Sequence, residues 1–166
     1  MQGAYPDDFM AELGALALGS RLRRLADRLY RDASAALETD GRAIAPNHVP
    51  VLACLARFGE QRVTDLTRRL GVSQPGVTRM VMALSSLGLV GVEKAAGDQR
   101  QSLVRLTSEG ERQVAEMQAR NWPEVALAAG ALFKDASGDL MQQLAHVEAA
   151  LDERSLAARI AEGRPA

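Results

Sequence analysis

The stretch VTDLTRRLGVSQPGVTRMVMALSSLGL, from Val63 to Leu89, most constrains the fold, because it holds two helical patterns separated by too little chain to lie in line. Leu66 and Leu70 share one face of a short helix, with Thr64 as its expected cap. Gly71 follows, a residue that enters a left-handed turn without steric cost. Val72 then reads as an apolar plug, Ser73 as a new N-cap and Pro75 as a first-turn residue of a second helix. That second helix places Val77, Met80, Val81, Leu84 and Leu87 on one stripe and closes at Gly88. Two helices joined by so short a Gly-containing turn predict a helix-turn-helix.

After Gly88 the hydrophobic period shortens to that of a strand. Leu89–Lys94 reads as one short strand and Gln101–Leu106 as a second, with the turn pair Gly97-Asp98 between them. A hairpin in this place is a wing. Thr107 caps a further helix that runs through Val114 and Met117 to a kink or break at Pro123. Upstream, Asp7 to Leu37 predicts one long helix with Leu18, Leu22, Leu25 and Leu29 in register. Glu38 to Asn47, with Thr39, Asp40, Gly41 and Pro46, reads as a loop. A helix then starts near Pro46 or Asn47, accommodates Pro50 in its first turn and stops at Gly59. A last helix is expected from about Asp135 or Ser137, carrying Leu140, Leu144, Val147 and Leu151, with Gly163–Ala166 as a frayed end. The expected fold class is mainly α with a small β-hairpin wing. It forms one domain, residues 1–166, in which a winged helix-turn-helix (about 46–107) is flanked by helical segments (about 7–38 and 107–162). Aromatic residues are only 4% of the chain, which favours helices packed on helices over a β-rich core.

Charge sharpens the picture. The formal net charge is -1, yet Arg62 to Thr107 carries seven Lys/Arg against three Asp/Glu, while the rest of the chain is acidic. A basic module on an acidic scaffold suits a localised phosphate-binding face rather than a surface that binds nucleic acid everywhere. The sequence shows no phosphate loop, nucleophile elbow or zinc-protease motif, and the pairs Asp7-Asp8 and Asp152-Glu153 read as surface charge, so no enzyme and no cofactor is expected. His48 and His146 lack the spaced partners of a metal site, and Cys54 has no adjacent cation to activate it, so a buried, inert thiol is expected. Trp122 reads as a packing anchor. With one cysteine, an acidic start at Asp7 and Asp8, and an apolar run from Leu13 to Leu18 too short to span a bilayer, the expectation is a cytoplasmic protein with no membrane partner.

A recognition helix must bury one stripe in its own domain and keep its first turns polar for the major groove. Ser73, Gln74, Thr78 and Arg79 fall off the apolar stripe. Gln pairs with adenine and Arg with guanine, while Ser and Thr serve base edges or phosphate. Pro75 and Gly76 are expected to permit close approach through their small bulk, and Thr64 completes the candidate set on the helices. On the wing, Arg100 is placed to reach a minor groove or its phosphates. It is flanked by Gln99 and by Asp98, which holds the arginine or caps the turn.

These motifs, LTRRLGVSQPGVTRMVMALSSLGLV, the Asp98-Gln99-Arg100 wing and LVRLTSEG, resemble the MarR family of winged-helix regulators over Val51 to about Glu111. The family's wing places an acid and an Arg ahead of another Asp or Ser, whereas here Gln101 and Ser102 follow. The opening LGSRLRRLADRLY also resembles a subgroup in which the winged helix is fused to an acetyltransferase, a second domain not expected in this chain. The resemblance implies a homodimer in which terminal helices interlock and set two recognition helices about one DNA turn apart. Such a dimer reads a pseudo-palindrome in double-stranded DNA with half-sites roughly 10 bp apart. It further implies a repressor released by a small aromatic or phenolic effector, for which Tyr30 and His48 are the candidate ligand residues. The alternative is a winged helix that serves as a protein-interaction or dimerisation module without touching DNA, since fold alone does not assign function.

Overall fold

The computed structural model describes residues 7–39, 42–95, 98–132, 138–156, 158 and 159. The chain divides into two compact units, Met1–Val125 and Ala126–Ala166, with the boundary inside a helix. The first unit begins with α1 (Phe9–Glu12), a 3-10 turn (Gly14–Ala17) and α2 (Leu18–Leu37), followed by the two-residue strands β1 (Glu38–Thr39) and β2 (Arg42–Ala43). A 3-10 turn (Pro46–His48) leads into α3 (Val49–Phe58), then β3 (Gln61–Arg62), α4 (Val63–Leu70) and α5 (Gln74–Ser86). The hairpin β4 (Val90–Ala95) and β5 (Asp98–Leu106) follows, then α6 (Ser108–Ala119) and α7 (Asn121–Leu132), the helix that crosses the unit boundary. The second unit contains α8 (Leu140–Glu153).

The helix-turn-helix forms as its pattern predicts. Gly71 takes φ 63° at the end of α4, a left-handed conformation that costs a side-chain-bearing residue about 1–2 kcal/mol. Ser73 caps α5 by accepting from the Gly76 N–H. One core cluster joins α3, α4, α5, the wing and α6: Leu52, Leu66, Val77, Leu84, Leu89, Val104 and Met117 are fully buried together. The wing is a three-stranded antiparallel sheet of order β3-β5-β4, with Gln61 opposite Val104 and Val92 opposite Val104 on the other side.

Thr107 fastens the wing to the helices at both ends. Its hydroxyl accepts from the Gly110 N–H at 3.0 Å, capping α6, and donates to the Gly88 carbonyl at 2.7 Å. Its own N–H donates to the Leu89 carbonyl at 3.1 Å. Gly110 has no alternative here, because a Cβ would fall onto the Leu89 carbonyl oxygen.

Several expectations are corrected. The first helical segment is not continuous, because Gly14 takes φ 55° and a 3-10 turn precedes α2. Thr64 is not a cap: α4 starts two residues earlier than that cap implies, at Val63, with Arg62 extended at the cap position and no side chain closing the turn. The expected loop Glu38–Asn47 holds the β1–β2 pair, while Asp40 and Gly41 lie outside the described residues. Pro46 and Asn47 form a 3-10 turn rather than the start of α3. The short strand β3, unexpected from the sequence, completes the wing sheet. The chain breaks at Arg120, ahead of Pro123, which is tolerated in the first turn of α7. The last helix starts at Leu140, where Asp139 accepts from the N–H groups of Met141 (2.9 Å) and Gln142 (3.2 Å). The earlier start expected at Asp135 or Ser137 lies outside the described residues, as do Gly97 and Gly163–Ala166.

Candidate nucleic-acid interface

Helix α5 is divided lengthwise. Val77, Val81 and Leu84 are buried, while Gln74, Pro75, Thr78, Arg79, Met82, Ser85 and Ser86 form one continuous exposed arc. The two hydroxyls near its start offer different chemistry. Ser73 Oγ accepts from the Gly76 N–H (3.4 Å), which leaves its proton available to a phosphate oxygen. Thr78 Oγ1 donates to the Gln74 carbonyl (2.9 Å), so it presents only lone pairs outward and suits a base amino group. Gly76 departs from its expected role. It is buried, and a Cβ there would sit 2.8 Å from Val72 Cγ1, so its small size serves the apolar plug in the turn rather than close approach of a ligand.

A cleft of about 600 Å³ separates α5 from the wing, and Arg62, Thr64, Gln74, Thr78, Met82 and Val92 are among its lining residues. No carboxylate lines it among the described residues. Thr64, misread as a cap, reaches this cleft instead. Arg79 is exposed on the same arc but outside the cleft lining, toward the edge of α5 away from Gln74 and Thr78. Asp98, Gln99 and Arg100 open β5, with Asp98 paired to Ala95, and their side chains lie outside the described residues.

Ion pairing sorts the basic residues of the module. Arg68 binds Asp65 (2.9 Å), and Arg105 binds Glu93 (2.6 Å), a hydrogen bond that holds its guanidinium firmly protonated. Arg69 donates to Gln61 Oε1 (3.1 Å) and stacks 4.0 Å from the Phe58 ring. Arg62, Arg79 and Lys94 have no ion-pair partner among the described residues. Two cations of the module are thus held by carboxylates and Arg69 by Gln61 and Phe58, while Arg62 in the cleft, Arg79 on α5 and Lys94 on β4 are left without an ion pair among the described residues.

Other candidates fall elsewhere. Cys54 is buried, and burial pushes its thiol up, opposed only in part by Arg69. His48 is half-buried in the turn before α3, where burial favours the neutral ring, and its Nδ1 has no hydrogen-bond partner among the described residues. Tyr30 is exposed on α2. Trp122 packs against the core cluster. The described residues contain no group of His, Cys, Asp and Glu arranged to hold a metal ion, and no described helix is long and apolar enough to cross a membrane.

Sequence reasoning missed Arg62, Met82 and Val92. Met82 carried a signal, since it is the one large apolar residue of α5 that lies off the buried stripe, and it is 66% exposed. Arg62 and Val92 carried none, because their approach to α5 depends on how β3 and β4 pair with β5.

Comparison with known proteins agrees with this architecture. Residues 44–101 match the MarR family. The chain is 35% identical over 85 residues to the transcriptional regulator MntR of Escherichia coli O6:H1, a match covering 51% of this chain and 51% of the relative. It therefore spans about half the length of the curated relatives it matches. Among solved structures, it is similar to the PcaV transcriptional regulator of Streptomyces coelicolor in complex with its natural ligand (TM-score 0.66, 18% identity, 86% of this chain and 94% of that one). It is also similar to a mutant MarR of E. coli complexed with operator DNA (TM-score 0.64, 21% identity, 87% and 99%). At these identities the structural likeness establishes the winged-helix fold.

Proposed function

We propose that this chain, whose residues 44–101 match the MarR family, is a member of that family: a dimeric, cytoplasmic transcriptional regulator that binds a pseudo-palindromic site in duplex DNA and is no enzyme. The observation that carries the reading is the exposed polar arc of α5. Ser73, Gln74, Thr78 and Arg79 project from a helix whose other side is locked into the core, beside a cleft free of carboxylates among the described residues. Arg79 reads a guanine edge, Gln74 and Thr78 read neighbouring bases, and Ser73 and Arg100 hold backbone on α5 and the wing.

The twofold arrangement draws support from apolar rows that are exposed among the described residues. Leu18, Leu22 and Leu25 are exposed along α2, and Met141, Val147 and Leu151 are exposed along α8. A second copy covers them and presents α5 twice. Repression relieved by a small-molecule effector is the mode that fits the family, with Tyr30 and His48 as the ligand candidates.

Fluorescence titration of the full chain against DNA flanking its own gene tests the reading. A specific site gives saturable binding whose log affinity falls with log salt at about -0.9 per neutralised phosphate. Absence of any salt-sensitive duplex binding rejects it and leaves the winged helix as a protein-interaction module.

A further inference from the structure

The core of the winged helix closes without Phe58, the last residue of α3, whose ring is 46% exposed. Two guanidinium groups share that ring: Arg69 of α4 lies 4.0 Å and Arg57 5.4 Å from its centroid. The ring attracts both cations and holds them together at the surface against their mutual repulsion. Arg69 is fixed further, because its Nε donates to Gln61 Oε1 at 3.1 Å, while Gln61 Nε2 donates to the carbonyls of Phe58 (3.1 Å) and Glu60 (2.8 Å). That contact uses only Nε, so the N–H groups on both terminal nitrogens of Arg69 stay open. Arg57 has no ion-pair partner among the described residues. Two pre-positioned guanidiniums beside an exposed aromatic edge fit a chain that carries both carboxylates and apolar groups, since each planar fork can take a carboxylate through two parallel bonds.

This patch is separate from the cleft between α5 and the wing. Thr64 lines that cleft, and Arg69, five residues further along α4, leaves the helix about 140° around its axis from Thr64. The patch is also poorly suited to a duplex. Asp65 lies one turn before Arg69 on the same face of α4, and Glu60 is exposed two residues after Phe58, so carboxylates stand where a continuous row of phosphates would run. An acidic side chain needs no such row, because it approaches each cation singly. We propose that Arg57, Phe58 and Arg69 form a docking site for an acidic peptide segment of a partner protein, with carboxylates on the two guanidiniums and an apolar side chain against the ring edge. Such a partner sits on the side of α4 turned from the cleft and leaves α5 free.

The test titrates the full chain, by fluorescence anisotropy at low salt, into a labelled peptide of Glu with interspersed Leu, and into the same peptide with Gln in place of Glu. The wild type should bind the Glu peptide saturably and the Gln peptide far more weakly. Arg57→Gln and Arg69→Gln should each weaken binding by about two- to fivefold, and the double variant by more. Phe58→Leu should weaken it with every charge retained, because the guanidiniums lose their shared ring. Arg23→Gln, which removes the same charge from α2, should bind as the wild type does. Arg57→Gln changes an exposed side chain only, so it keeps the test decisive should Phe58→Leu fail to fold. The inference is overturned if the wild type does not bind the Glu peptide or binds both peptides alike. It is equally overturned if the double variant binds as the wild type does, or if Arg23→Gln weakens binding as much. A double variant that loses affinity for a duplex of arbitrary sequence as steeply as for the peptide also overturns it, by making the patch a DNA contact. A wild-type chain that binds the Glu peptide but no duplex supports this site while removing the proposed function.

Discussion

Leucine at helical spacing occurs both in the winged helix, as at Leu52 and Leu55, and in the first helical segment, at Leu18, Leu22 and Leu25, and the two sets meet opposite fates. In the winged helix, Leu52, Leu66, Leu84 and Leu89 close onto one another and are sealed from solvent. Along α2, Leu18, Leu22 and Leu25 remain 52%, 44% and 41% exposed. Helical periodicity states which residues share a face, but not what covers that face. One region completes its core within the chain. The other displays a row that stays exposed among the described residues. The charges divide in a similar way, since the arginines tied to Asp65, Gln61 and Glu93 brace the winged helix, while Arg62 and Arg79 are left to act outward.

Breaking the closed core should have the largest effect. Leu66→Ala removes a fully buried side chain and should cost about 2–5 kcal/mol of unfolding free energy in denaturant titrations. A negligible cost would mean that the winged helix does not complete its own core. On the exposed row, Leu22→Ala should weaken association between copies by about 1 kcal/mol for each copy whose remaining 44% exposure a partner buries. Sedimentation over a concentration series reads this directly, and an unchanged dimer would move the interface off α2. Arg79→Ala sharpens the contrast from the other side. Affinity for a specific duplex should fall by about 1–3 kcal/mol, with dimerisation untouched. Equal weakening on all sequences would make Arg79 a phosphate contact rather than a reader of bases.

The smallest effect belongs to the brace that ties the chain ahead of α1 to α2. Arg24 donates to both carboxylate oxygens of Asp8, at 2.9 and 2.7 Å, and this hydrogen bonding holds the Asp8 carboxyl below its ordinary 3.8. A carboxyl with a depressed folded-state pKa stabilises the fold above its unfolded value. The gain is lost as pH falls through the folded one. Asp8→Asn should therefore lower the thermal midpoint slightly at neutral pH, and the gap should close below the ordinary carboxylate range. A gap that persists in acid would assign the effect to packing rather than charge.

Much of the helix-turn-helix was legible because its signals are local. Gly71 at a left-handed turn, Ser73 capping α5 and Thr107 capping α6 each act within a few residues of chain, so composition and spacing carry them. Thr64 shows the limit of such signals: a polar residue just ahead of an apolar pattern resembles a cap, but the cap position falls two residues sooner, at Arg62, which is also paired to Leu103 of β5. Gly76 was misread because its small size answers to Val72, a neighbour across the turn.

The sequence alone determined the helical stripes, the turn between α4 and α5, the presence of a wing and the polar residues that leave α5. It could do so because hydrophobic period and capping are properties of adjacent residues. Only the tertiary structure decided that Arg62, Met82 and Val92 face one cleft, that three nearby arginines are already engaged, and that the leucines of α2 stay exposed among the described residues. Those outcomes depend on strand register and on which faces meet, and the energies that choose them arise between residues far apart in the chain.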